Sequence, residues 1–204
     1  MNDRRLLFGL LGELAAIIAW SAWLPHDWFT WWLEVTPGLV AIVILTATYR
    51  RFRFTTFCYV AIALHICILL VGGHYTYARV PLFDWLRPMF GWERNNFDRL
   101  GHFAQGLVPA LVARELFVRL NVLNRKRWQP FLIVSVCLAI SAFYELIEWW
   151  TAALSGDDAV SFLATQGDVW DTQKDMLTAL ISAIIAVTIM RPWHNRALAH
   201  STKS

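Results

Sequence analysis

The feature that most limits this chain is a series of apolar stretches, each close to the length that crosses a lipid bilayer. They run at about 5–24, 32–49, 54–73, 98–119, 131–150 and 174–190, separated by short polar links. A helix rises about 1.5 Å per residue, so roughly 20 apolar residues cross a hydrocarbon layer of about 30 Å. Backbone amides find no water inside that layer, so a lone spanning segment must satisfy its own hydrogen bonds as a helix. The expectation is an all-α membrane protein: a single polytopic domain over residues 1–204 with about six transmembrane helices. With 57% hydrophobic and 16% charged residues, the chain carries more apolar surface than a soluble core of this size takes in. No linker, internal repeat or low-complexity tract divides it.

Charge placement sets the expected orientation. Lys and Arg in short links are retained in the cytoplasm. Arg4 and Arg5 precede the first span, Arg50, Arg51 and Arg53 follow the second, and Arg119, Arg125, Lys126 and Arg127 follow the fourth. Arg191, Arg196 and Lys203 lie in the tail. The first link, LPHDWFTWW, and the fifth, Thr151 to Gln173, contain neither Lys nor Arg. The third, roughly 74–97, mixes Arg79, Arg87 and Arg94 with Asp84 and Glu93. Both termini are therefore expected in the cytoplasm, with the first, third and fifth links outside. Within the third link, VPLFDWLRPMFGW is too short to span and reads as a segment lying on the outer interface.

The net charge of +3 is mild, and dispersed basic residues argue against a nucleic-acid surface. Twelve Trp, among them Trp20, Trp23, Trp28, Trp31, Trp32, Trp149, Trp150, Trp170 and Trp193, cluster near span ends as an interfacial aromatic belt. Cys58, Cys67 and Cys137 all fall within spans, which points to packing rather than a disulfide frame or zinc ribbon. The N-terminus has the basic start and apolar run of a signal peptide, but Glu13 interrupts it and no small-x-small site follows. An uncleaved first helix is expected.

Function concentrates in the stretch Asn96 to Arg119. At about 100° per residue, Asp98, His102 and Gln105 share one helix face. Ionisable groups at membrane depth turn inward to a partner or to water. Two later segments, YELIEWW and GDVWDTQKDM, deliver acids to the same depth. Glu145 and Glu148 are i,i+3 neighbours with Ser141 one turn deeper, and Asp171 and Asp175 are i,i+4 neighbours with Thr178 and Ser182 continuing inward. The expected product is an outward-facing polar cavity. Asp98, His102, Glu145 and Glu148 are its candidate catalytic groups. Arg99, Gln105 and His74 are its candidate substrate-binding groups, with Arg99 suited to a phosphate. His102, Glu145, Asp171 and Asp175 are its candidate metal ligands, suited to Mg²⁺, Ca²⁺ or Mn²⁺ and also to Zn²⁺. No complete metal motif such as HExxH or paired CxxC is present.

Bland readings compete. Asp98, Asp168 and Asp171 serve equally as helix caps, and Glu145 and Glu148 as interfacial groups or partners of Arg99. His102 fits a core imidazole as well as a ligand, His65 a packed histidine and His74 a loop residue. Asp157 and Asp158 read as a solvated turn, and His26, His194 and His200 show no partner pattern. Single-residue readings do not, however, explain why one end collects the deeper acids.

The strings AIALHICILLVGGHYTYARVPL, RNNFDRLGHFAQGLVPALVARE, YELIEWW and TQGDVWDTQKDM resemble the YjdF-like family of small bacterial inner-membrane proteins. Residues about 96–191 more distantly resemble the core of VanZ-like membrane proteins. Asp98-Arg99-x-x-His102, Tyr144-Glu145 and Asp175 match that pattern, while Ala179 and Ala183 replace its Asn and Gly. The resemblance implies a multi-pass inner-membrane protein with an envelope role. Three functions stand open: binding of or action on a lipid or lipid-linked phosphate, cation- or proton-coupled transport, and a non-catalytic membrane scaffold. The lipid bilayer is the partner common to all three.

Overall fold

The computed structural model describes residues 3–155 and 165–201, and among these every regular element is helical. Asp157 and Asp158 lie outside the described residues. Eight α-helices follow in order: α1 (Asp3–Ser21), α2 (Trp28–Thr48), α3 (Thr56–Tyr75), α4 (Pro81–Phe90), α5 (Phe97–Arg119), α6 (Gln129–Ser155), α7 (Asp171–Val187) and α8 (Arg191–Ser201). Among the described residues, three segments are long and apolar enough to cross a membrane: α2, α3 and Lys126–Leu154, which contains most of α6. A fourth appears if α7 and α8, bent by 53° at their junction, count as one broken span. α1 and α5 carry too many polar and charged residues to qualify on those grounds.

The polar content of α5 is explained by its position. α5 packs on α7, α3 and α6, while α3 also takes α1 and α2. Its buried face includes Asp98, His102, Arg114 and Glu115 beside Ala104, Val108, Ala110 and Leu111. Outward faces of the other helices are apolar: Val40, Val43 and Ile44 on α2, Val136, Ile140 and Phe143 on α6, and Leu177, Ile181 and Ile184 on α7. Such an inside-out distribution suits a hydrocarbon solvent.

Between spanning helices, lipid removes most of the hydrophobic drive, so close packing of small residues takes over. The α5–α7 seam is built this way from Gly106, Ala110, Ala179, Ser182, Ala183 and Ala186. A Cβ on Gly106 would stand 2.0 Å from the Ala179 carbonyl oxygen and 2.2 Å from Ser182 Oγ. At one end of the bundle, the ring of Tyr77 fills the space beside Gly72 and Gly101, where added Cβ atoms would lie 2.1 and 2.8 Å from it. Ser21 joins three helices: it donates to the Leu70 carbonyl at 2.6 Å and accepts from Trp31 Nε1 at 2.9 Å.

Several expectations change here. Trp31 is buried rather than part of an aromatic belt, because its indole N–H is used inside the bundle. Trp20, Trp23, Trp28, Trp32, Trp149, Trp150, Trp170 and Trp193 are exposed. α4 buries none of its residues and leaves Leu82, Trp85, Met89 and Phe90 uncovered along one side, the distribution expected of an interfacial helix. Asp98 does not cap α5. Asn96 holds the cap position, and Asn95 Oδ1 accepts the Phe97 N–H at 3.1 Å.

Replacing Gly106 by Val forces α5 and α7 apart and should lower stability by about 3 kcal/mol. Ala at Gly12, whose Cβ would meet nothing within 4 Å, should be neutral or mildly stabilising. Thermal unfolding in detergent compares the two.

Candidate functional site

Helical periodicity places His102 one turn after Asp98, and tertiary packing makes its imidazole the hub of the site. His102 Nε2 lies 3.4 Å from Asp98 Oδ1 and 3.7 Å from Asp175 Oδ1. On the other side of the ring, Nδ1 lies 3.0 Å from Gln105 Oε1 and 3.8 Å from Glu145 Oε1. Asp98, His102, Glu145, Asp171 and Asp175 are all buried. Three helices, α5, α6 and α7, therefore bring the expected acids and imidazole together.

Two guanidinium groups knit this set. Arg99 donates to Asp175 and Asp171 and lies 3.4 Å from Asp168. Arg94, from the link before α5, pairs with Asp171, with Asp98 at 3.3 Å and with Asp168 at 3.8 Å. Buried charges are tolerated only with such pairing and hydrogen bonding. A reciprocal amide clamp joins the same two links: the Asn95 N–H donates to Gln166 Oε1 and Gln166 Nε2 donates to the Asn95 carbonyl, both at 2.9 Å.

Beside the hub lies a cavity of about 200 Å³ lined by Glu34, His65, Tyr77, Asp98, His102, Gln105, Tyr144 and Glu148, with Pro37, Leu69, Gly101, Pro109 and Ile140 completing the wall. Tyr144 donates its hydroxyl proton to Glu34 Oε2 at 3.1 Å. Glu145 Oε1 and Ser141 Oγ are buried with no hydrogen-bond partner among the described residues. Among the described residues, the chamber wall thus presents carboxylates, imidazoles and phenols, and no Lys or Arg.

The grouping departs from expectation in four respects. Donor atoms of Asp98, His102 and Asp175 fall within 4.8 Å of one another, so they form the compact ligand set. Asp171 turns instead to Arg94 and Arg99, and Glu145 approaches the opposite ring nitrogen. Arg99 is engaged by three carboxylates rather than held ready for an anion. His74 lies apart, its Nδ1 3.1 Å from the Ser21 carbonyl and its ring against Trp20 and Tyr75. Thr178 bonds back to the Lys174 carbonyl, and Ser182 to that of Ala179.

Glu34 and Arg94 were not singled out by sequence patterning. Glu34 had a signal, a lone acid within an otherwise apolar helix. Arg94 had none, since an arginine in a link is ordinary.

Asp98, His102 and Asp175 offer two carboxylate oxygens and an imidazole nitrogen, a donor set for Mn²⁺, Mg²⁺ or Zn²⁺. Gln105, on the second ring nitrogen, fixes the ring orientation as outer-shell partners of metal-ligating histidines do.

At the rim, the Lys174 ammonium 2.6 Å from Asp168 holds that carboxyl below the usual carboxylate range. A folded pKa below the unfolded value of about 3.9 stabilises above that value and is lost as pH falls through the lower one. Acidification below about pH 4 should therefore loosen the link before α7, and D168N should flatten that response. Limited proteolysis across a pH series reads both. Q166A, which removes the amide clamp, should destabilise by about 1–2 kcal/mol in thermal unfolding.

The family described as "Predicted membrane protein (DUF2238)" matches residues 6–196. The Escherichia coli (strain K12) protein named "Inner membrane protein YjdF" is 48% identical over 185 residues, covering 91% of this chain and 88% of the relative. No solved structure matches. The match across nearly the whole length, with the apolar helices, makes this chain a bacterial inner-membrane protein belonging to the DUF2238 family.

Proposed function

We propose that the chamber binds a hard divalent cation beneath the periplasmic surface and uses it to hold the phosphate of a lipid or lipid-linked substrate, in an envelope role. The observation carrying this reading is the buried set of Asp98, His102 and Asp175 donors within 4.8 Å of one another, beside a chamber whose wall, among the described residues, contains no Lys or Arg. A phosphate needs positive charge, and both nearby guanidinium groups already face carboxylates. A cation supplies that charge and polarises the phosphoryl oxygen. Glu145, beside the imidazole and with one oxygen unpartnered, is the group placed to accept a proton. Ile140 lines the chamber and is 43% exposed on the outer face of α6, which offers a lateral approach from the bilayer.

The same reading counts α1 and α5 as crossings, six in all. Arg50, Arg51, Arg53, Arg119, Arg125, Lys126 and Arg127 lie at helix ends and links away from the chamber, which supports a cytoplasmic side there and cytoplasmic termini. A second reading, passage of a cation or proton, draws on His65 at the chamber wall. It ranks lower because the Gly106–Ala179–Ser182 contact closes the α5–α7 seam.

Purified protein should unfold at higher temperature with Mn²⁺, Mg²⁺ or Ca²⁺, by about 2.7 kcal/mol at a hundredfold excess over Kd. D175N and H102A should abolish the gain. An unchanged wild-type response to all three ions defeats the cation reading, and tracer flux in proteoliposomes would favour the transport reading.

A further inference from the structure

At the end of the bundle opposite the chamber, three helices bury a second cluster of unlike chemistry. Cys58 comes from the first turn of α3, Glu115 from the last turns of α5 and His194 from α8. All three are fully buried, and one donor atom from each lies within 4.8 Å of the others. His194 reaches the cluster because the 53° bend after α7 folds α8 back under the bundle. Its ring stacks on Phe57, with centroids 5.5 Å apart.

We propose that Cys58, Glu115 and His194 form a site for a zinc-class ion that ties α3, α5 and α8 together. Cys58 Sγ lies 3.6 Å from His194 Nε2, and His194 Nε2 lies 3.3 Å from Glu115 Oε2. A tetrahedral ion with bonds of about 2.3 Å to sulfur and about 2.05 Å to nitrogen and oxygen has S···N and N···O edges of about 3.6 and 3.3 Å. The donors thus already stand at the separations of two edges of a zinc tetrahedron. A purely hydrogen-bonded cluster does not require that match, and 3.3 Å is long for N–H···O.

The surroundings suit a ligating carboxylate. Glu115 accepts hydrogen bonds from the Thr55 N–H, the Thr55 hydroxyl and Arg119, each at 2.8 Å. Outer-shell donors of this kind hold a carboxylate ligand in one orientation. Thiolate and carboxylate together neutralise a divalent ion, the Cys58 thiol proton leaving to solvent as the metal–sulfur bond forms. Sulfur and imidazole select a softer ion than the chamber's oxygen-rich set. Three protein ligands leave a fourth position for a solvent or exogenous ligand.

Full-length protein purified without chelator and titrated with Co²⁺ tests this. Coordination should produce the near-ultraviolet thiolate-to-cobalt charge-transfer band at one equivalent, and Zn²⁺ should displace it. Among the described residues the chamber contains no sulfur, so the band is independent of the proposed function: D175N should retain it while C58S and H194A lose it. Zn²⁺ should also raise the thermal unfolding temperature of D175N but not of the C58S/D175N double variant. No band in the wild type, or a band that survives in C58S, overturns the proposal.

Discussion

The structure depends on the pairing of charge inside a molecule whose outer surface is hydrocarbon-facing. Asp98, Asp171 and Asp175 are buried and would be costly in an apolar interior if left alone. Arg94 and Arg99 answer them across three segments of chain. Removing one member of such a network exposes its partner as an uncompensated buried charge, which costs more than the pair contributes. The network therefore fixes where α5 and α7 begin, and so fixes the depth at which His102 sits.

Close helix packing converts that register into a site. Gly106 lets α5 lie against the Ala179 carbonyl, and the chamber lies on another side of α5, walled by residues of α2, α3 and α6. The two ends of the bundle then differ in chemistry. One holds carboxylates, imidazoles and phenols around a cavity; the other brings a thiol, an imidazole and a carboxylate within 4.8 Å of one another. Hard-ion and soft-ion preferences follow from those donor types rather than from the fold.

Much of the grouping around His102 was legible in the sequence because two simple periods combine. Helical spacing put Asp98 and His102 on one face, and the apolar blocks put Glu145 and Asp175 at a similar depth. Arg94 was not legible, since its importance arises only when the links before α5 and α7 are clamped by Asn95 and Gln166. His74 was misread for a related reason: depth alone put it near the chamber, but its helix face turns toward Ser21 and Trp20. Trp31 lay near an interface by position and inside by rotation.

The sequence by itself determined an all-helical membrane chain and a polar concentration at one end, because hydrocarbon solvent and helical period act on local residues. Only the tertiary structure decided which ionisable groups touch. It selected Asp98 over Asp171 for the imidazole's company, drew Glu34 into the chamber wall, and brought His194 under α3 to meet Cys58 and Glu115. Helix rotation and the bend between α7 and α8 set those contacts, and both arise from packing among helices distant in sequence.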